Sequence, residues 1–374
     1  MDIKSYFADK LSKVLFLEIK KDKLKEVFSV SSSESVYVPV ITDDIADKIK
    51  RGSSLDKIPM SFFVEGMFFV LGTDNKFRYN EYYKSVLKSS DNNSKFIKNK
   101  ISKYVKQKKY EDAYILLRGL SRIESTEDIY SKLLFLCDDL RKKSAMYKDE
   151  EMDVIEESKE IKNFCEPYFY EALILKDDGD FQKALFSLNT FLANGGKPTK
   201  EVIDFKASLK MINDYERGKS LVTEDPNVAL EILLSLTESL ADSAELFYYI
   251  AVAYRNLKNN LKAIYYLEKA MSIDDKAVEV INELGINYAA VGDYEKAILY
   301  FRDAFQYTGS VEICTNLIMC YLNTNNLKQA KAHLKLAKQI DPKDEIVVKL
   351  EKMLENNWAD TFLLFFLSSY FFIE

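Results

Sequence analysis

Glycine and proline are scarce in this sequence, with 11 glycines and 6 prolines among 374 residues. Short strands joined by many turns depend on these two residues, so their scarcity argues against an all-β fold and favours long helices. Histidine occurs once, at His333, so a catalytic triad or a histidine-based metal site has no basis. The phosphate-loop patterns GxxxxGK and GxGxxG do not occur either. The sequence therefore predicts a protein without a catalytic site, a metal or a cofactor.

Arginine is also rare, with 8 residues against 45 lysines. Phosphate groups and base edges are usually recognised by arginine, because its planar guanidinium donates two parallel hydrogen bonds. Over the whole chain acidic and basic residues are mixed, and the formal net charge is −6. These features predict that the protein has no nucleic-acid partner.

The 4 cysteines form no CxxC pair and no cluster with histidine. Reduced, mostly buried thiols are the simplest interpretation, and we expect a bacterial protein of the cytoplasm. No internal stretch reaches the roughly 18 apolar residues that a membrane-spanning helix needs. A membrane partner is therefore not expected for the body of the chain.

Internal repeats are the main positive signal. Three consecutive segments, 244–276, 277–310 and 311–343, align on small residues at 34-residue and 33-residue spacings. Each segment carries two alanines seven residues apart in its second half: Ala263 and Ala270, Ala297 and Ala304, Ala330 and Ala337. Apolar residues at helical spacing in both halves predict a pair of helices, in which the small residues permit close approach.

The middle segment has the fullest pattern, with Gly285, Tyr288, Gly292, Asp293, Tyr294, Ala297, Phe301 and Ala304. This set resembles the tetratricopeptide repeat. The resemblance implies an all-α fold, a right-handed α-α superhelix of helical hairpins. Weaker copies lie at 94–122 and 165–197, and degenerate hairpins at 127–161 and 200–240.

Five regions follow from this pattern. They are an N-terminal cap region of mixed structure (1–57), degenerate hairpins (58–243), three well-formed repeats (244–344), a capping helix (345–357) and a hydrophobic tail (358–374). Within the cap region the β-branched run SVYVPVI predicts a short edge strand or an extended segment.

In tetratricopeptide proteins the first helix of each hairpin lines a concave groove that binds peptides. Carried over position by position, the resemblance implies these groove residues: Tyr170 and Lys176 upstream, Tyr248, Tyr249, Val252, Arg255 and Asn256 in the first well-formed repeat, Asn282, Ile286 and Ala289 in the second, and Thr315, Asn316, Met319 and Asn323 in the third. Glutamate at the second position of four repeats (Glu166, Glu245, Glu279 and Glu312) opposes the lysine clamp that some members use for acidic C-terminal peptides. We therefore expect a neutral or basic partner.

The tail differs from the rest of the chain, since 10 of its 12 residues from Phe362 to Ile373 are apolar. As a helix it would be about 18 Å long, short of the roughly 30 Å hydrocarbon core of a bilayer. It is interpreted as a strip that packs on the terminal helices or on a second copy of the chain, as a membrane anchor, or as the product of a frameshift.

The function that this pattern favours is a non-catalytic scaffold that binds a protein or peptide in the concave groove. A peptide-sensing regulator with the same ligand-binding domain is the alternative, and it requires an effector module in residues 1–57. An enzyme is a third hypothesis, which applies only if a frameshift has removed a catalytic region.

Overall fold

The structure, a computed structural model, describes residues 2–41 and 58–355. The chain divides into two compact units, unit 1 of residues 1–209 and unit 2 of residues 210–374. The expected tail, 358–374, lies outside the described residues, as do the end of the expected capping helix and residues 42–57 of the expected cap region.

The residues up to Ala193 form ten helices and two strands within the described ranges. They are α1 (Ile3–Ser12), β1 (Val14–Ile19), α2 (Lys21–Phe28), β2 (Val36–Ile41), α3 (Met60–Thr73), α4 (Asn80–Lys88), α5 (Asp91–Lys106), α6 (Tyr110–Ser121), α7 (Glu127–Lys143), α8 (Lys148–Lys159), α9 (Glu166–Asp177) and α10 (Phe181–Ala193). A single 3₁₀ turn, Ala145–Tyr147, precedes α8.

The remaining described helices follow without strands. They are α11 (Lys200–Ser220), α12 (Pro226–Ser235), α13 (Ala244–Asn256), α14 (Asn260–Ile273), α15 (Val278–Ala290), α16 (Tyr294–Thr308), α17 (Val311–Asn323), α18 (Leu327–Ile340) and α19 (Glu345–Glu355). The three hairpins α13–α14, α15–α16 and α17–α18 coincide with the three predicted repeats. The described residues thus confirm the all-α repeat fold that the resemblance to the tetratricopeptide repeat implied.

The N-terminal strands form an antiparallel pair in which Val14 lies opposite Ile41. The run SVYVPVI was expected to be extended, and its strand β2 packs against α3. Gly66 of α3 makes this contact possible, because a Cβ built there would lie 2.3 Å from the carbonyl oxygen of Pro39. The partner strand β1 was not predicted from the sequence.

Glycines also allow α3 and α6 to cross at backbone distance. A Cβ on Gly72 would lie 2.0 Å from the Ile115 carbonyl oxygen, and one on Gly119 would lie 1.9 Å from the Phe68 carbonyl oxygen. No side chain fits between the two helices at these points. Because Phe68 and Ile115 are fully buried, this crossing anchors the core of unit 1.

In unit 2 the turn inside each hairpin is built in the same way. A residue with positive φ ends the turn, and the next residue caps the second helix through its side-chain oxygen. The pairs of turn residue and cap are Lys258 (φ 59°) and Asn259, Gly292 (φ 84°) and Asp293, and Asn325 (φ 55°) and Asn326. The turn at Gly292 and Asp293 therefore recurs in both neighbouring hairpins.

At an equivalent position, each of these hairpins has a ring pair made by one residue of each helix. The pairs and their centroid distances are Tyr254–Tyr266 (5.5 Å), Tyr288–Tyr300 (5.5 Å) and Tyr321–His333 (5.0 Å). The first two pairs are stacked, with interplanar angles of 11° and 7°, and the third is tilted by 41°. His333 therefore has a packing position in the third hairpin that tyrosine occupies in the other two.

Candidate functional site

The predicted groove residues of unit 2 lie on α13, α15 and α17, and these first helices contact one another in sequence. On α13, Tyr248, Tyr249 and Arg255 are half-buried and Asn256 is exposed. The amide nitrogen of Asn256 donates to the carbonyl oxygen of Val222 at 2.7 Å. These four side chains are placed where a partner could reach them.

An ion pair connects α13 to α15 on this face. Nη1 of Arg255 lies 3.0 Å from Oε1 of Glu283, a carboxylate that is only 6% exposed. Burial raises the pKa of Glu283, and the Arg255 charge opposes that shift. Burial likewise raises the pKa of Tyr248 to about 12. Arg255 is therefore committed to neutralising a buried carboxylate within the protein.

Four of the predicted groove residues of unit 2 belong to its core instead. Val252, Thr315 and Met319 are 8%, 1% and 4% exposed, and Oγ1 of Thr315 donates to the Glu312 carbonyl oxygen at 2.7 Å. The reason is that consecutive first helices pack on each other, which widens the buried stripe beyond the part that faces the second helices. Ala289 is buried for the same reason.

The other predicted residues of α15 and α17 keep partial exposure. Asn282, Ile286, Asn316 and Asn323 are half-buried. The amide of Asn323 donates to the Met319 carbonyl oxygen at 2.9 Å. The unit 2 face is defined by Tyr248, Tyr249, Arg255, Asn256 and these four residues, and all of them except Ile286 have polar side chains.

The two predicted residues of unit 1 separate in the structure. Lys176 is exposed and its Nζ lies 3.4 Å from a carboxylate oxygen of Asp177. Tyr170 is half-buried, and burial raises its pKa. Tyr170, unlike Lys176, lines a deep groove that the sequence did not predict.

This unit 1 groove has a volume of about 910 Å³. Its wall residues come from α5, α6, α7, α9, α10 and α11, and the apolar ones are Ile101, Val105, Leu117, Leu120, Ile129, Phe135, Leu136, Phe169, Phe191 and Val202. The volume is near the upper end of the roughly 300–1,000 Å³ that ligand pockets usually have. Phe135 is 65% exposed, so a large apolar side chain lines the groove while still open to solvent.

Lysine side chains lie at the border of the groove. The segment 95–109, which forms most of α5 and the turn after it, has seven lysines and no acidic residue. Lys98 and Lys106 from this lysine segment line the groove, together with Lys132 and Lys197 from elsewhere. The groove is therefore bordered by positive charge in a protein whose net charge is −6.

Two of these four lysines are neutralised by nearby carboxylates. Lys98 pairs with Glu124 at 2.7 Å, and Lys132 pairs with Asp128 at 2.6 Å. Lys106 and Lys197 form no ion pair with any of the described residues. Two ammonium groups at the groove thus have no carboxylate partner of their own among residues 2–41 and 58–355.

Two signals for the groove were present in the sequence. Ile101 and Val105 are spaced four residues apart on a helix that is otherwise rich in lysine and asparagine, which marks an apolar stripe. The lysine segment does not show in the net charge of the whole chain, because acidic residues elsewhere outnumber the basic ones. Phe135 gave no signal, since it lies inside a helix whose other large residues are mostly buried.

The described part of the chain shows neither a metal-ligand cluster nor a membrane-spanning helix. No cluster of three or more histidine, cysteine, aspartate or glutamate residues there could hold a metal ion. Cys137, Cys314 and Cys320 are buried free thiols, and Cys165 is partly exposed. Among the described helices, none combines the length and the apolar composition needed to cross a bilayer.

Comparison with known families gives two matches, both to the tetratricopeptide repeat, at residues 244–276 and 288–354. An uncharacterized protein of Methanocaldococcus jannaschii is 22% identical in an alignment of 236 positions that covers 58% of this chain and 29% of that protein. The chain thus spans less than a third of the length of the curated relative that it matches.

Two solved structures show similarity at low identity. MamA is 19% identical, with 48% of this chain and 92% of that chain covered and a TM-score of 0.35. YrrB, described as a TPR protein with an unusual peptide-binding site, is 18% identical, with 53% of this chain and 96% of that chain covered and a TM-score of 0.36. Both alignments cover about half of the present chain.

Proposed function

Because the chain is a tetratricopeptide-repeat protein, we propose that it is a non-catalytic scaffold that binds a protein or peptide partner. The observation that carries the proposal is the unit 1 groove, a concave space of about 910 Å³ to which apolar side chains are exposed. A peptide can bury such side chains while its backbone stays near the polar rim. The proposed location is the bacterial cytoplasm, where buried free thiols stay reduced.

The unit 2 face is a second, weaker candidate surface. It offers tyrosine and amide side chains, which suit peptide contacts because they combine rigid area with adaptable hydrogen bonding. None of its residues lines the unit 1 groove, and Arg255 is already paired with Glu283. We therefore rank it below the groove.

The regulator alternative receives no support from the described N-terminal residues. Within residues 2–41 each helix is followed by a strand, so this range contains no helix-turn-helix. DNA-binding motifs of that kind need two consecutive helices. The scaffold is thus the function that the geometry supports best.

The test is selection of peptides from a random display library by the full-length protein, followed by affinity measurements with the purified peptides. Phe135→Asp probes the unit 1 groove, and Tyr248→Ala probes the unit 2 face. Phe135 is 65% exposed, so its replacement changes the surface without opening a cavity in the core. Circular dichroism of each variant verifies that it is folded.

We expect the selection to yield peptides that no longer bind the Phe135→Asp variant but still bind the Tyr248→Ala variant. The reverse pattern would place the binding site in unit 2 and would leave the proposed scaffold function unchanged. A library that enriches no binding peptide, in a selection that succeeds with an unrelated peptide-binding domain, would contradict the scaffold proposal itself.

A further inference from the structure

We infer that the unit 1 groove selects an apolar peptide segment that carries acidic side chains. The inference rests on the proposed function and specifies the class of partner. It combines two independent observations, the apolar lining of the groove and the unpaired lysines at its border. Each observation constrains a different part of the ligand.

The lining determines which side chains the ligand inserts. Val105 and Phe135 are 38% and 65% exposed, whereas Ile101 and Phe191 below them are about nine-tenths buried. An inserted leucine or phenylalanine would cover the first pair and contact the second. Burial of apolar area gives about 25 cal/mol per Å², so aromatic or long aliphatic side chains gain most.

The border determines the charge of the ligand. Lys106 lies on α5 and Lys197 in the segment between α10 and α11, and neither has a carboxylate partner among the described residues. Glu166 is the one lining carboxylate without an ion pair in that same part of the chain. Two unpaired ammonium groups against one carboxylate leave a positive border, which favours a ligand with aspartate or glutamate beside its apolar residues.

This conclusion differs from the neutral or basic partner that the sequence suggested. That expectation depended on glutamates in the first turns of four repeats, but Glu245, Glu279 and Glu312 belong to unit 2 and do not line the groove. Only Glu166 does. A first-turn glutamate is explained by its favourable interaction with the helix dipole.

The experiment uses the full-length protein and a fluorescein-labelled amphipathic peptide with leucine and phenylalanine on one face and glutamate on the other. Two matched peptides carry glutamine or lysine in place of glutamate. Fluorescence anisotropy at low and at physiological salt gives the affinity of each. We expect the glutamate peptide to bind about tenfold more tightly than the lysine peptide, with a difference that shrinks as salt rises.

Matched protein variants connect this preference to the groove. Lys106→Glu should weaken the glutamate peptide by about tenfold and strengthen the lysine peptide. Lys103→Glu is the control, because Lys103 is an exposed lysine of the same helix that does not line the groove. Phe135→Asp should abolish binding of the glutamate peptide, and Phe186→Asp should not, because Phe186 is 73% exposed outside the groove.

Equal affinity for the glutamate and lysine peptides would overturn the charge selection while leaving the scaffold function intact. Unchanged binding in Phe135→Asp would overturn the location. Displacement of the probe by phosphatidylserine vesicles or by RNA would assign the lysines to a polyanion instead of a peptide. Displacement by a peptide of residues 358–374 would make a second copy of the chain the occupant. It would overturn the inference that the ligand belongs to a separate partner.

Discussion

Replacement of Gly119 by alanine is expected to destabilise unit 1 and to distort its groove. Gly119 lies at the crossing of α3 and α6, where a Cβ would be 1.9 Å from the carbonyl oxygen of Phe68. Real Cβ atoms essentially never come closer than 3.0 Å to such an atom, so the helices must separate by about 1.1 Å or more. Both helices are buried at this point, and the group that would clash with the new Cβ is a backbone carbonyl.

The magnitude follows from two opposing effects. Alanine is about 1 kcal/mol more favourable than glycine inside a helix. Overpacking a close-packed core typically costs about 1–3 kcal/mol, and the upper end applies because a backbone carbonyl cannot rotate away as a side chain can. We therefore expect Gly119→Ala to lower the free energy of unfolding by about 2 kcal/mol or more.

Urea unfolding followed by circular dichroism measures this loss, and hydrogen exchange at the α3 and α6 amides assigns it to unit 1. Gly218→Ala is the control, because its Cβ would meet the side chain of Leu233 at 2.6 Å, which can shift more easily than backbone. Leu117 and Leu120 lie on either side of Gly119 and line the groove, so probe binding should weaken as well. A neutral or stabilising Gly119→Ala would refute the reasoning.

Three further outcomes are expected. His333→Tyr should restore a stacked ring pair with Tyr321 and raise the free energy of unfolding by about 0.5–1 kcal/mol in urea titrations, whereas a loss would show that the smaller ring is required there. Lys258→Gly should raise it by about 1 kcal/mol because φ is 59° at this turn; an unchanged denaturation midpoint would contradict this. Burial raises the pKa of Glu151 to about 7 despite the Arg141 charge. The folded state therefore binds the Glu151 proton more tightly than the unfolded state does. This preference stabilises the fold fully below pH 4.5, and the stabilisation is lost as the pH rises to about 7. Glu151→Gln should therefore gain up to about 3 kcal/mol relative to wild type over that range, and a pH-independent difference would exclude this role.

The hairpins of unit 2 could be predicted because their determinants are local. The alanine spacing, the turn at Gly292 and the cap at Asp293 all act within one hairpin, and copies one repeat away confirm each other. The buried positions Val252 and Thr315 were misplaced on an exposed face because contacts between successive first helices depend on the geometry of stacking. Sequence spacing does not record that geometry.

Unit 1 was less accessible to prediction for two physical reasons. Residues 63–72 of α3 are all buried, so the helix lacks the alternation of apolar and polar faces that usually reveals orientation. The groove is assembled from α5, α7 and α9, which are far apart in the chain. Its apolar lining and its lysine border become one site only through tertiary packing.

The two kinds of packing have different consequences for how the chain can change in length. Each hairpin of unit 2 contacts mainly its neighbours in sequence, and equivalent positions recur at 34-residue and 33-residue spacings. Duplication or deletion of one whole hairpin therefore creates interfaces of a kind that already exists. In unit 1, α3 contacts both β2 and α6 at glycines that accept no side chain. Variation in size among relatives should accordingly fall in unit 2, while unit 1 keeps a fixed number of elements.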